Sequence, residues 1–161
     1  MTDAPGLEPV FRDDDSAEFF DAAAAGKLVV KRCDHDHYVA PTNTYGMPTT
    51  RCPTCHSPNL SWSAVSGEGA LVSWTVVHRR DGPTQIAAIV ELLEGPWMTA
   101  KLDVASDDGL RVGQPLTVHF AQSEGGEVIP VFGPTERSSD PPEGGRDAHA
   151  LDAAAGGGTD G

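Results

Sequence analysis

The feature that most constrains the fold is a Cys-x-x-Cys pair, Cys52 and Cys55, within a segment that has few large apolar side chains. This segment runs from residue 33 to about residue 60 and is rich in Pro, Thr, His and Cys. It cannot bury enough apolar surface to offset its loss of chain entropy, so it needs a metal ion or a packed neighbour. A two-residue gap lets both thiolates reach one metal ion from a tight turn. The pattern therefore predicts a metal-binding knuckle.

A second arm is needed to complete a tetrahedral site, and Cys33 supplies its sulfur. We prefer His37 as the fourth ligand because imidazole is a good zinc donor and a Cys-x3-His gap is reachable. His35 and Asp36 remain open, and Asp36 occupies the position of the second cysteine in a standard Cys-x2-Cys arm. The predicted ligands of a structural zinc ion are Cys33, His37, Cys52 and Cys55. The alternative is a knuckle that has lost its metal and is held by packing alone.

Two other chemistries use the same residues. Cys52 to His56 match the Cys-x-x-Cys-His pattern of covalent haem attachment, but that chemistry normally belongs to exported proteins. The acidic residues 1–15 contain no apolar core of a secretory signal, and an odd number of cysteines suits a disulfide framework poorly. A dithiol redox role would place the pair at a helix N-terminus, whereas a Pro-containing loop follows it here. We therefore expect reduced thiols and a cytoplasmic protein.

A short helix is predicted over residues 16–25, where Phe19, Phe20 and two alanines form an apolar stripe. Asp15 and Glu18 are placed as its N-cap and N3 residues, and Gly26 can end it in a left-handed conformation. The helix either caps the core or docks a partner. The predicted organisation is a flexible lead (1–14), a helix (15–26), a zinc-ribbon-like module (27–62), a barrel (63–134) and a disordered tail (135–161).

The barrel is predicted from five β-like segments separated by turn residues. They span residues 70–79, 85–93, 97–102, 115–122 and 128–132. Val72, Trp74 and Val76 alternate with their neighbours, as in a strand with one core-facing side. Five short strands at this spacing suit a small OB-type barrel, so the chain is expected to be mostly β. The Gly-, Pro- and Ala-rich residues 138–161 are expected to be disordered.

Charge and composition argue against several functions. The net charge of −13 lies mainly at the two ends, and residues 26–102 are nearly neutral, which does not suit a nucleic-acid binder. No stretch approaches the roughly 18 apolar residues of a membrane span. No Gly-x-Ser-x-Gly motif is present, and we interpret His78 and His119 as structural and Trp74 and Trp97 as core residues. No catalytic residue is assigned.

The chain also resembles a family that joins a rubredoxin-like zinc ribbon to an OB fold and accompanies thiolase-like enzymes and aldolases. The resemblance runs in order from Phe19 to Pro134. The residues that carry it are Phe19-Phe20, Gly26-Lys27-Leu28-Val29-Val30-Lys31-Arg32-Cys33, Arg51-Cys52-Pro53-Thr54-Cys55-His56-Ser57, Ser66-Gly67-Glu68-Gly69-Ala70-Leu71-Val72-Ser73-Trp74-Thr75-Val76-Val77-His78, Val90-Glu91-Leu92-Leu93-Glu94-Gly95-Pro96, Val112-Gly113-Gln114-Pro115-Leu116-Thr117-Val118 and Ile129-Pro130-Val131-Phe132-Gly133-Pro134. Asp36 departs from the family pattern, and the loop over residues 38–50 is longer than the family usually carries.

The resemblance implies a non-catalytic accessory subunit that stabilises a thiolase-like or aldolase partner and helps it bind or pass on a CoA thioester, in fatty-acid or steroid metabolism. Cationic residues near the ribbon and after the first barrel strand are candidates to meet the CoA phosphates. They are Lys31, Arg32, Arg51 and Arg79. A solvated face balanced by nearby acids is the plain alternative for each. The alternatives for the whole chain are a stand-alone acyl-CoA-binding or acyl-CoA-processing protein and an OB module for single-stranded nucleic acid.

Overall fold

A computed structural model describes residues 2–3, 7–43, 45–122 and 124–136, and over these residues the chain forms one helix and nine strands. In chain order the elements are β1 (Thr2–Asp3), α1 (Ala17–Ala24), β2 (Val29–Cys33), β3 (Tyr38–Val39), β4 (Leu60–Ala64), β5 (Glu68–Val77), β6 (Gln85–Leu92), β7 (Trp97–Leu102), β8 (Pro115–Gln122) and β9 (Val128–Pro134). The prediction of a mostly β chain with an N-terminal helix is confirmed. The described residues end at 136, so residues 138–161, predicted to be disordered, lie outside them.

The last five strands close into the predicted OB-type barrel. β6 pairs antiparallel with both β5 and β7, and β8 pairs antiparallel with β5 and β9. A short parallel contact between β7 and β9, with Lys101 opposite Val131, completes the cylinder. Closure satisfies strand edges that would otherwise be open to other chains.

Alternation along the strands explains why they close around one core. In β6, Ile86, Ala88, Val90 and Leu92 are buried, while the residues between them are more exposed. They meet inward-facing side chains of β7 and the fully buried Phe132 of β9. In β5 the register shifts between Leu71 and Ser73, so Leu71 is buried and Val72 only half-buried. A bulge of this kind cannot be predicted from a simple period of two.

The segment around the cysteines forms a second, three-stranded antiparallel sheet in the order β3-β2-β4. β2 and β4 pair in full register, from Val29 opposite Ala64 to Cys33 opposite Leu60. At the other end of β2, Val30 and the preceding Leu28 are buried within the barrel core. This sheet therefore carries Cys33, one of the predicted metal ligands, at one end of β2 and contributes to the barrel core at the other.

Helix α1 contacts β2 of one sheet and β9 of the other, with Phe20 and Ala23 buried. Its N-cap is Ser16 rather than the predicted Asp15, and the Ser16 N–H donates to the Asp13 carboxylate at 2.9 Å. The predicted stop is confirmed: Gly26 has φ +74°. This conformation, easily accessible to glycine, turns the chain toward β2.

The lead, expected to be flexible, makes specific contacts with the barrel from residue 7 onward. Leu7 and Val10 pack against a small apolar cluster that includes Phe20 and Ile129. The carbonyl oxygen of Val10 accepts a hydrogen bond from the backbone N–H of Glu127 at 2.8 Å. These contacts tie residues 7–10 to the β8–β9 hairpin.

Two side chains differ from their predicted positions. Trp97, expected in the core, begins β7 with 56% of its surface exposed. His78, expected within a strand, lies just beyond the end of β5 and is exposed. Trp74 packs against the barrel core as predicted. No helix in the described part of the chain is long and apolar enough to cross a membrane.

Candidate metal centre

The first knuckle is a tight turn that follows β2. The backbone N–H of Asp36 donates to the carbonyl of Cys33 at 3.0 Å, and the N–H of Cys33 donates to the carbonyl of His37 at 3.0 Å. Asp36 adopts φ +65°, a left-handed conformation that Asp tolerates better than most residues. The turn thereby brings the His37 ring back over Cys33.

The second knuckle has a similar construction. The N–H of His56 donates to the carbonyl of Cys52 at 2.9 Å, and the N–H of Cys52 donates to the carbonyl of Ser57 at 2.9 Å. His56 has φ +61° and is exposed, so it reverses the chain after Cys55. The Cys-x-x-Cys-His sequence therefore forms a turn, and its histidine, His56, lies outside the cysteine cluster.

The two knuckles bring Cys33, His37, Cys52 and Cys55 together, with one ligand atom of each within 4.8 Å of all the others. Cys33 Sγ lies 3.4 Å from His37 Nδ1 and 3.7 Å from Cys55 Sγ. Cys52 Sγ lies 3.8 Å from the same histidine nitrogen. Cys33 and Cys52 are buried, and the other two residues are half-buried. This cluster could hold a metal ion.

The two alternative fourth ligands point elsewhere. Asp36 pairs with Arg32 at 3.1 Å, and 79% of its side chain is exposed. His35 pairs with the Asp34 carboxylate at 3.1 Å and is also exposed. Cys33, Asp34 and His35 do form a second possible group of three ligands, but two of its members lie in solvent. The four-residue cluster is the better enclosed of the two.

The protein environment shifts the pKa values of Cys52 and Cys55 in opposite directions. Burial raises the pKa of Cys52, but the backbone N–H groups of Cys55 and Thr54, with the neighbouring thiols, bring that pKa down to about 6. The Ser57 N–H lowers the pKa of Cys55, yet burial and the sulfurs of Cys52 and Cys33 outweigh it and raise the pKa. Asp34 links the two arms: hydrogen bonds from Ser57 and then Asn59 lower its pKa.

The residues predicted to bind CoA are spread over the surface, and three are already engaged. Arg32 pairs with Asp36 and stacks over Tyr38 at 5.3 Å from the ring centroid. The Arg51 guanidinium donates to the carbonyl of His56 at 3.2 Å, and Arg79 forms an ion pair with Glu8. Lys31 differs from these arginines because its ammonium sits 4.7 Å from the Trp62 ring centroid, in the wall of a cleft.

This cleft, of about 590 Å³, opens between the ribbon, α1 and the barrel. Its wall includes Lys31 and Trp62 from the ribbon, Phe19 from the helix, and Met98 and Lys101 from β7. Sequence reasoning missed both Trp62 and Lys101. The alternation of β7 places Lys101 on the outer face of the barrel, but nothing in that pattern shows that the ribbon lies opposite.

Comparisons with known proteins agree with the architecture of a ribbon joined to an OB barrel. The family model of the ChsH2 C-terminal OB-fold domain matches residues 62–121. The solved structure described as "Ltp2-ChsH2(DUF35) aldolase" contains a chain that is 27% identical, with a TM-score of 0.64 over 79% of this chain and 98% of that one. The predicted resemblance is therefore confirmed: the chain is similar to OB-fold proteins of the ChsH2 and DUF35 kind, and its cysteine cluster fits a zinc ribbon.

Two curated relatives extend this result. A probable enoyl-CoA hydratase alpha subunit of Thermomonospora curvata is 28% identical over 124 residues, which make up 74% of this chain and 37% of the relative. A DUF35 domain-containing scaffold protein of Pyrococcus furiosus is 28% identical over 97 residues, 56% of this chain and 65% of the relative. The chain thus spans about a third of the first relative and just under two thirds of the second.

Proposed function

We propose that this chain is a non-catalytic accessory subunit of an enzyme that acts on acyl-CoA. The observation that carries the proposal is a match that covers 79% of this chain to a chain of the ChsH2-containing aldolase structure, at a TM-score of 0.64. The names of the two curated relatives, a hydratase subunit and a scaffold protein, support the same role. The partner we propose is a thiolase-like or aldolase subunit, in a cytoplasmic hetero-oligomer of fatty-acid or steroid metabolism.

The metal we propose is zinc, in a structural role. Zinc bonds of about 2.3 Å to sulfur and 2.0–2.1 Å to nitrogen place tetrahedral ligands about 3.8 Å apart for two sulfurs and about 3.5 Å apart for sulfur and nitrogen. The separations of 3.4, 3.7 and 3.8 Å in the cluster fit these values. A bound zinc ion would supply a cross-link between the two knuckles. With four protein ligands, no position remains for substrate, so the site would hold the ribbon in shape.

In this proposal the ribbon and the barrel each contribute cationic residues near the CoA thioester. The 27–62 module presents Lys31, Arg32 and Arg51 near the CoA thioester, and Arg79 lies just after β5 of the 63–134 barrel. Because the three arginines already have protein partners, CoA phosphates would have to compete with or extend those pairs. We therefore expect their individual contributions to be modest and the main contribution to be stabilisation of the partner.

The experiment that tests this proposal is affinity purification of the tagged chain from its native cells, followed by mass spectrometry. We expect an acyl-CoA enzyme in stoichiometric amount, with acyl-CoA turnover by the complex and none by the isolated chain. Tagged chain with Cys52 and Cys55 replaced by serine serves as the matched control and should recover less of the enzyme. Intact, folded bait that recovers no acyl-CoA enzyme would contradict the proposal, as would turnover by the chain alone.

A further inference from the structure

We propose that the cleft between the ribbon, α1 and the barrel binds a medium-chain carboxylate, with the apolar chain inside the cleft and the carboxylate at Lys31 and Lys101. This proposal goes beyond the accessory role, since it assigns a ligand to the chain itself and does not depend on the identity of any partner enzyme. It gives Lys31 a cleft-facing role that differs from contact with the phosphates of CoA.

The position of the cleft on the barrel favours a ligand site. The outward-facing side of the second and third strands of an OB barrel is the usual ligand surface of this fold. Here those strands are β6 and β7, where Ala87 lies opposite Lys101 and Ile89 opposite Thr99. Across the cleft, Lys31 and Trp62 are register partners on the ribbon sheet. The ribbon therefore turns an open surface into a slot with two walls.

The lining suits an apolar chain. Phe19, Phe20, Trp62 and Ile129 all contribute to the cleft wall. The volume of about 590 Å³ falls within the range of about 300–1,000 Å³ that is typical of small-ligand pockets. Burying a chain of methylene groups against these side chains would contribute about 0.8 kcal/mol for each group removed from water.

Charge within the cleft favours one anionic group. Lys101 is half-buried, and its desolvation, followed by repulsion from Arg79, lowers its pKa. Within the described residues, neither Lys31 nor Lys101 has a carboxylate within ion-pair distance. A bound carboxylate would relieve the electrostatic cost of a half-buried ammonium group.

The acids at the rim do not supply that partner. Asp13 and Asp15 also line the cleft, but both are exposed, and Asp13 accepts hydrogen bonds from the backbone and hydroxyl of Ser16. Water screens exposed carboxylates more strongly than it screens half-buried ammonium groups. Two lysines are too few to neutralise the several phosphate charges of CoA. A single carboxylate on an apolar chain matches the lining better.

The test is isothermal titration of the isolated full chain with decanoate, decan-1-ol and decanoyl-CoA. We expect decanoate to bind, and Lys101→Met to weaken it about tenfold, as expected from the loss of one hydrogen bond to a charged group. Decan-1-ol binding should hardly change, because methionine preserves the apolar stem. Lys27→Met, at an exposed position outside the cleft, is the matched control and should leave decanoate binding unchanged.

A second measurement covers the case in which Lys101→Met does not fold. In the unmodified chain, decanoate should shift the indole N–H resonance of Trp62, assigned by its loss in Trp62→Phe. Absence of decanoate binding would overturn the proposal, and so would binding of decanoyl-CoA alone or an equal loss in Lys27→Met. Because these titrations need no partner, their failure would leave the pull-down result, and hence the accessory role, to be judged separately.

Discussion

Cys33 contacts His37 at two points: its sulfur lies 3.4 Å from the ring Nδ1 and accepts a hydrogen bond from the His37 backbone N–H, also at 3.4 Å. The backbone hydrogen bond fixes the turn that brings the ring nitrogen close to the sulfur. A Cys-x3-His arm therefore has a defined geometry here, although its sequence offers three possible ligands.

Replacing His37 with alanine should strongly weaken zinc binding, because three sulfurs would remain and the fourth position would be open to water. His35→Ala is the matched control: it removes an imidazole two residues away that lies in solvent, and we expect unchanged affinity. Competition with a chromophoric chelator measures both affinities. Equal losses in the two variants, or a loss in His35→Ala alone, would assign the fourth ligand elsewhere.

Removing the metal should loosen the knuckles before it affects the barrel. The amides of Cys33 and Cys52 donate the hydrogen bonds that close the two turns, and those turns have few apolar contacts of their own. Structural zinc contributes about 10–16 kcal/mol of apparent binding free energy in small zinc modules, so its loss leaves these turns poorly held. Hydrogen exchange in the presence of a chelator should speed up at both amides and stay slow in β6. Unchanged protection of both amides would show that packing alone holds the ribbon.

Gly69→Ala should destabilise the barrel by about 1–3 kcal/mol, the usual cost of forcing extra atoms into a packed site. An added Cβ would lie 2.6 Å from the carbonyl oxygen of Glu91 and 2.8 Å from Val90 Cγ1, so backbone would have to move. Gly82→Ala is the control, since its nearest neighbours would be Arg79 atoms at 3.7 Å. Urea denaturation measures both free energies of unfolding. Similar values for the two variants would contradict the close approach of β5 and β6.

The clamp between the lead and the β8–β9 hairpin should weaken in acid. Arg12 binds Glu127 through two hydrogen bonds, at 2.6 and 2.8 Å, and also binds Asp21 at 2.6 Å. The Arg12 hydrogen bond lowers the pKa of Glu127 below its ordinary value of 4.5. Because the folded pKa is the lower one, the stabilisation is complete above the unfolded pKa and disappears as pH falls through the folded pKa.

Hydrogen exchange at the Glu127 amide, which donates to Val10, reports on this clamp. Arg12→Met should lower the protection factor of that amide at neutral pH. It should also remove the loss of protection that acid causes in the unmodified chain. Arg111→Met, at an exposed position outside the clamp, should behave like the unmodified chain. An unaltered profile in Arg12→Met would show that Leu7 and Val10 alone hold the lead.

The sequence predicted the barrel well because the signals that define each strand lie within the strand itself and its flanking turns. Alternating apolar residues such as Ile86, Ala88 and Val90, bounded by Gly- and Pro-containing turns, define a strand without knowledge of its partners. The shift at Leu71 was not predictable, because a bulge inserts a residue without changing composition. Trp97 was wrongly placed in the core because it begins its strand at an exposed hairpin.

The site was predicted less completely. The cysteines were evident from their spacing. In the structure, a left-handed turn at Asp36 brings His37 to them, and an Asp-His-Asp-His run does not specify that turn. Contacts between modules leave no periodic signal, so the cleft formed by Trp62 and Lys101 was missed. The packing of Leu7 and Val10 was missed for the same reason, since acids and prolines surround them.

Leu28 and Val30 lie in the barrel core, yet they sit on the same stretch of chain as Cys33, a proposed metal ligand. A shortened chain that began at residue 63 would lose these two side chains and leave a gap in the barrel core. Grafting the ribbon onto another barrel would require a new host with matching space for both. The two modules can therefore be exchanged between relatives only as a pair, and substitutions at Leu28 or Val30 should be tolerated only together with compensating changes in β5 or β6.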